Sequence, residues 1–366
     1  MRKYRQKTPF VIVFCKFPEH TNNAMSLNTS PVALEDIAKR LGIAVSTVSR
    51  ALRDLPGIHP ATRAKVVREA EALGYISPRK RGNEQGVQPR SILTLTIGGE
   101  VSPDYLSGMS RASLALNFSL LSYSFSHAES RMILDPAHQP PALKMGLVAG
   151  IVLVYRWPEE VVQALCQKYP VASLIIHYPG QPVDLIGIDH LGGVFALASH
   201  LRDGGHRRIG FFGLCPDESW ARSRFAAYVE ALISLRLPFD MADVVRIEDS
   251  ADVAHFPFQD DALFDRVADK IRGGVTAWIC ADDKMGYSLC AGLARRGLRV
   301  PDDVAVTGFH QRRPQTDLPL LTSTKVDEEL LGQAALRRLA YRLDQPGETP
   351  RIILMPSQFV KGKTTR

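Results

Sequence analysis

From residue 91 onward, short apolar runs alternate with stretches of helical periodicity, a rhythm that few folds accommodate over so great a length. Residues 91–97 (SILTLTI), 120–125 (LLSYSF), 150–155 (GIVLVY), 171–176, 208–212 (RIGFF), 277–280 (AWIC) and 304–309 (VAVTGF) read as strands, with helical patterns such as 158–168 between them. Strand and helix in alternation imply doubly wound parallel sheets with helices on both faces, so the expected class is α/β. About 275 residues suit two such lobes, and residues 91–366 are expected to form one two-lobed domain.

Residues 31–77 follow a different pattern. Leu34, Ile37, Ala38 and Leu41 fall at i, i+3, i+4 and i+7, which gives a helix one apolar face, with Glu35 and Asp36 early where the helix dipole favours acids. Gly42 ends it. A second helix, about residues 45–53, buries Val48, Ala51 and Leu52, and a third, after Pro60 with Thr62 as its cap, runs through Val66, Ala70 and Leu73 to Gly74. Two helices joined by so tight a turn, the second rich in Ser, Thr and Arg on its open side, match a helix-turn-helix. In the major groove such a second helix aims its N-terminal side chains at base edges. Arg50 offers a fork to guanine, Ser46 can donate or accept, and Val45 can touch a thymine methyl. Thr47, Ser49, Arg53, Arg63 and Lys65 are placed for phosphate oxygens.

Charge agrees with a polyanionic partner at this end. Residues 1–90 hold 16 Lys and Arg against 7 Asp and Glu, whereas residues 91–366 hold 29 against 31. Residues 78–90, polar and carrying Arg79, Lys80 and Arg81 in a row, read as a basic linker able to track phosphates or a narrow minor groove. Residues 1–30 are expected to be non-structural, with Met25 a candidate true start. Their apolar run is broken by Lys16 and Pro18, and no small-residue cleavage site follows. Five widely spaced cysteines without CxxC or zinc spacing fit a reducing cytoplasm, and no metal or cofactor is expected. No stretch approaches the roughly 18 apolar residues of a membrane span, so no membrane partner is expected.

The string VALEDIAKRLGIAVSTVSRALRDLPGIHPATRAKVVREAEALGYISP resembles the DNA-binding headpiece of the LacI/GalR family of bacterial transcription regulators. The shared elements are D-I-A, the turn Gly, T-V-S-R-A-L, T-R-x-K-V and the closing L-G-Y. The resemblance implies base reading by Val45, Ser46 and Arg50, and backbone contacts or packing by Thr47, Ser49 and Tyr75. Two features depart from the family pattern. Ala44 stands where a helix-capping Ser is usual, and Ser77-Pro78-Arg79-Lys80-Arg81-Gly82 replaces the usual hinge helix with its wedging Leu.

Farther on, GIDHLGG, LRDGGHRRIGFFG, ARSRFAAY, WICADD, GLRVPDDVAVTGF and PLLTST resemble the family's effector-binding domain, two lobes joined by three crossovers and similar to periplasmic sugar-binding proteins. The resemblance places Arg224 on polar ligand groups, with Asp282 where Asn is usual and His310 where an Asp would take ligand hydroxyls. Trp220 and Tyr105 are candidates to stack on a ring, and Asp189 and Arg222 are weaker effector candidates. The loss of the usual Asn and Asp weakens a neutral-sugar reading and admits a sugar acid.

Catalytic signatures do not emerge. Gly98-Gly99 lacks a third glycine, SQFVKGKT at 357–364 lacks the first glycine of a phosphate loop, and neither GxSxG nor HExxH occurs, so no enzyme is expected. The expected function is a cytoplasmic, homodimeric, sequence-specific DNA-binding regulator, a repressor of a pseudo-palindromic operator, controlled by a carbohydrate-like effector. The alternatives are a regulator of the same fold without a small-molecule effector, and an exported sugar-binding receptor.

Overall fold

The computed structural model describes residues 12–13, 34–52, 58–73, 90–98, 101–247, 261–314, 317–345 and 347–366. It divides into two units, one spanning residues 15–90 and the other residues 91–366 together with 1–14.

The smaller unit holds helices α1 (Leu34–Leu41), α2 (Val45–Leu52) and α3 (Pro60–Ala72). Ile37, Ala38, Val48, Ala51, Val66 and Ala70 close its core, ringed by Leu34, Leu41, Ile43, Leu52, Ile58 and Leu73. Gly42 turns the chain at φ 62°, which lets α2 begin three residues later. The Ala44 carbonyl accepts the amides of Thr47 (2.9 Å) and Val48 (3.1 Å), so the first turn of α2 closes through the backbone despite the missing hydroxyl. Thr62 is not the cap expected of it. Helix α3 begins at Pro60, whose fixed φ suits a first helical position, and His59 Nδ1 accepts the Ala61 amide at 3.3 Å.

The larger unit carries a seven-stranded sheet in the order β1-β3-β2-β4-β5-β6-β12. Its strands are β1 (Ile12–Val13), β2 (Arg90–Ile97), β3 (Phe118–Phe125), β4 (Val148–Val154), β5 (Val171–Leu174), β6 (Val183–Ile188) and β12 (Ile352–Met355). The ladders β2–β4, β4–β5, β5–β6 and β6–β12 are parallel. Both faces are covered: Leu93, Leu95, Ile151 and Leu153 pack in one apolar cluster, Ile92, Val152, Val154 and Ile186 in another. Ile12 and Val13, expected to lack structure, pair antiparallel with Ser122 and Leu121 at the edge of β3, where β-branched residues find an open ladder. The rest of residues 1–30 and the linker 78–89 lie outside the described residues.

A second, four-stranded parallel sheet runs β10-β9-β7-β8, from β7 (Ile209–Leu214), β8 (Val244–Arg246), β9 (Ala277–Cys280) and β10 (Ala305–Thr307). β11 (Ser323–Lys325) pairs antiparallel with β13 (Gln358–Val360). The chain passes from the large sheet to the small one after β6, returns through β11 to β12, and leaves again for β13. Two lobes with three crossings result, as the resemblance implies.

Helices α4 (Pro103–Leu116) and α11 (Glu328–Asp344) touch backbone to backbone. A Cβ on Gly108 would fall 1.9 Å from the Glu329 carbonyl oxygen, and one on Gly332 2.3 Å from that of Tyr105. Gly332→Ala must therefore push two helix backbones apart, an overpacking cost of about 3 kcal/mol. Urea unfolding of the variant is expected to show a lower midpoint with an unchanged slope.

Candidate functional site

In the smaller unit the outer arc of α2 presents Val45, Ser46 and Arg50 to solvent, with Thr47 and Ser49 half-buried and Val48 and Ala51 facing the core. Successive residues step about 100° round a helix, which puts positions 45, 46, 49 and 50 on one side. Of the expected phosphate contacts, Lys65 is exposed and Arg63 half-buried on α3. Arg53, Tyr75, Arg79, Lys80 and Arg81 lie outside the described residues.

In the larger unit a cleft of about 1350 Å³ opens where strands of both sheets end. Ile97 closes β2 and Gly98 follows it, Tyr155 to Trp157 follow β4, Ile175 and Ile176 follow β5, and Ile188 closes β6. From the other lobe come Asp217 to Trp220 after β7, Asp282 after β9 and His310 after β10. The carboxyl ends of parallel strands are where open α/β sheets bind ligands. Backbone strain concentrates here too. Of the non-glycine residues with positive φ, Tyr155 (64°), Ile175 (61°) and His310 (104°) all line the cleft. A β-branched residue in that region persists only where its surroundings hold it.

Arg224, on α8 (Ser219–Ser234), forms the floor and is 2% exposed. Its Nη1 donates to the Ala281 carbonyl (2.7 Å), its Nη2 to His310 Nε2 (2.8 Å) and its Nε to His190 Nδ1 (3.3 Å). The guanidinium lies 4.0 Å from the centre of the Phe309 ring and 5.0 Å from that of Trp220. Burial pulls its pKa down to about 10, against the pull of Asp282 and Asp283, so it stays charged at neutral pH. Burial, and then the Arg224 charge, hold His190 down at about 3 and His310 well below the usual histidine range. Both imidazoles are neutral, which lets each offer a lone pair to Arg224. The His310 main chain is fixed by its amide on the Thr324 carbonyl (2.9 Å) and by the Gln311 amide on Ser323 Oγ (3.1 Å).

Tyr105, Trp220, Arg224, Asp282 and His310 thus meet in one cleft. Tyr105 is 3% exposed, its hydroxyl pKa raised by burial and then by Glu328. Asp282 caps α10 (Asp283–Ala294) by accepting the Met285 amide at 3.0 Å, which occupies the oxygen Oδ1. Asp189 and Arg222 do not line the cleft. Asp189 caps α7 (His190–Asp203) by accepting the Gly192 amide at 2.9 Å. Arg222, two residues from Arg224 and so on the far side of α8, is exposed and donates to the Pro216 carbonyl. His190, Arg312, Lys284 and Glu328 line the cleft without having been singled out. His190 was within reach, since GIDHLGG puts it directly beyond a strand end.

Comparison with known proteins agrees with this arrangement. The family model for bacterial regulatory proteins of the lacI family matches residues 33–77, and that for the periplasmic binding protein-like domain matches residues 198–365. The HTH-type transcriptional regulator GntR of Escherichia coli K12 is 24% identical over 340 residues, covering 87% of this chain and 94% of its own length. The chain belongs to the LacI family. A crystal structure of the lac repressor dimer bound to operator and the anti-inducer ONPF superposes with a TM-score of 0.62 at 24% identity, over 92% of this chain and 99% of that one. A complex of the transcriptional regulator CelR with cellobiose gives 0.61 at 23%, over 91% and 99%. As a LacI-family member the chain is a DNA-binding transcriptional regulator. Among the described residues no helix is long and apolar enough to cross a membrane.

Proposed function

We propose that this LacI-family chain works as a cytoplasmic homodimeric repressor, reading a pseudo-palindromic operator with Val45, Ser46 and Arg50 and answering to a carbohydrate-like effector in the cleft. The exposed arc of α2 carries the DNA half of the reading. One headpiece reads few base pairs, so two copies on two half-sites supply affinity and match a two-fold operator. The lac repressor structure, a dimer on operator with a small molecule bound, supports the same arrangement, and the CelR complex with cellobiose supports a sugar-like ligand. A ligand acts only through its different affinity for the open and closed lobes, and so for the headpiece spacings they favour.

Fluorescence anisotropy on DNA selected from a random-sequence pool tests this. The wild type is expected to bind tightly with a steep salt dependence. Arg50→Ala removes a bidentate base contact worth about 1–3 kcal/mol, so specific affinity should drop 5- to 150-fold while binding to unrelated DNA hardly changes. Equal loss on all sequences would reassign Arg50 to the phosphates.

A further inference from the structure

We propose that the outer edge of β3 is the docking surface for this chain's own N-terminal segment, and that strand β1 is a strap which, with β2, ties the DNA-reading headpiece to the larger unit at both ends. The inference rests on the smaller unit being the operator reader, and adds how it is held.

Strand β3 needs a cover. Its eight residues, FSLLSYSF, contain no charge and no proline, the features with which natural edge strands block pairing with other chains. Leu121, Tyr123 and Phe125 lean on one apolar cluster of the larger unit, and Phe118 and Leu120 on the other, so the strand is held on both faces and only its outer ladder is left to pair. β1 takes that place. Ile12 pairs with Ser122 and Val13 with Leu121, antiparallel, which makes β1 the outermost strand of the sheet. The sequence suits the role: PFVIVFCKF, residues 9–17, is rich in β-branched and aromatic residues and carries Pro9 and Lys16 near its ends, the guards that β3 lacks.

Direction decides what the strand does. The Gly98 amide donates to the Phe125 carbonyl (3.0 Å) and Thr96 Oγ1 to that of Tyr123 (3.4 Å), so β2 and β3 end together, beside the cleft. Running against β3, the chain leaves β1 at Val13 toward the opposite end of the sheet, where Arg90 brings it back into β2. Only β3 separates the two strands, about 10 Å at the usual spacing. The chain from β1 to β2 is thus a loop closed on one end of one sheet, with α1, α2 and α3 inside it. At random-coil dimensions a 16-residue tether such as 74–89 reaches about 22 Å, and a second of 20 residues, 14–33, cuts the volume open to the headpiece about 2- to 3-fold. The benefit is confined to paired half-sites, where the effective concentration of the second headpiece rises by the same factor.

Hydrogen exchange on the full chain tests the docking. Amides of residues 118–125 that face β1 are expected to exchange at least 10-fold faster in a variant carrying Ile12→Pro and Val13→Pro, which cannot donate to the ladder, with the rest of the larger unit unchanged. Ile12→Cys with Ser122→Cys, in a Cys15→Ser background, should close a disulfide within one chain under mild oxidation, because paired antiparallel residues lie within disulfide reach. Fluorescence anisotropy reads the tether: the ratio of affinities for two half-sites over one should fall about 2- to 3-fold in the proline variant and keep its wild-type value in the crosslinked one. Unchanged exchange in 118–125, no crosslink, or a crosslink joining two chains would overturn the strap. Faster exchange with an unchanged affinity ratio would reduce β1 to an edge cover and overturn its part in DNA reading. Wild type without sequence preference on any selected DNA would overturn the operator reading itself, while exchange and crosslinking still judge the strap.

Discussion

Asp184→Ala is expected to lower the unfolding free energy of the larger unit by about 3–5 kcal/mol, the cost of removing one partner from a buried ion pair. Asp184 lies on β6 with no solvent exposure. Its Oδ1 accepts from Arg338 Nε and from the Arg351 amide, both at 2.8 Å, and its Oδ2 from Arg342 Nη1 at 2.9 Å. One carboxylate thereby ties a central strand, the long helix α11 and the approach to β12. Alanine would leave Arg338, itself only 6% exposed, with the Thr349 carbonyl and Glu348 at 3.6 Å, and Arg342 with the carbonyls of Val171 and Pro182, so both would lose the carboxylate they share. Asp184→Asn should cost less, since shape and one acceptor survive. Urea unfolding followed by far-UV circular dichroism checks both. Equal, small losses would mean that the arginines find water or Glu348 instead.

Acidification is expected to weaken the larger unit from about pH 6.5 downward, chiefly through the two cleft histidines. His190 has its folded pKa depressed to about 3, so below its ordinary value near 6.5 the unfolded chain takes up a proton that the native state refuses. Its contribution is present in full above pH 6.5 and is lost at up to about 1.4 kcal/mol per pH unit as pH falls toward 3, less a discount for its half-buried ring. His310, depressed in the same direction, adds to the loss. Asp283 works against them. Burial raises its pKa to about 6, so the native state keeps a proton that the unfolded chain has released, and stability from this group grows as pH falls from 6 to 4. Two histidines outweigh one aspartate. Unfolding free energies measured from pH 7.5 to 4.5 should decline with acid, His190→Gln should flatten the slope, and Asp283→Asn should steepen it. A flat wild-type profile would mean that water reaches both imidazoles.

How far the sequence revealed this molecule depended on how local each signal was. The helices of the smaller unit could be read from Leu34, Ile37, Val48 and Val66, because helical spacing and a tight Gly turn are written within a dozen residues. The strands β2, β4, β7 and β9 were equally plain as buried runs. By contrast β8, β11 and β13, of three residues each, and β12, whose Ile352 and Leu354 are more than half exposed, carry no run long enough to stand out. Of the candidate effector residues, Tyr105, Trp220, Arg224, Asp282 and His310 line the cleft, whereas Asp189 caps α7 beside it, because a residue that caps a helix and one that faces a cavity look alike in the chain. Arg312 and Glu328 line it without any local signal, Arg312 from the loop after β10 and Glu328 from the start of α11, just past a crossing between the lobes.

Those crossings also govern the order in which the molecule can be made. From the small sheet the Val306 amide donates to the Thr364 carbonyl at 3.0 Å, and Thr322 Oγ1 meets Thr365 Oγ1 at 2.8 Å, with Thr364 fully enclosed. Strand β11 waits for β13 as its partner. Domains made early in synthesis generally fold first. Here the large sheet can assemble its strands β2 to β6 as soon as residue 188 is made, while the second lobe, begun at residue 190, stays unsealed until residue 365. The second lobe thus stays incomplete over some 175 residues of synthesis, its Val306 amide and Thr322 side chain waiting for Thr364 and Thr365 to arrive.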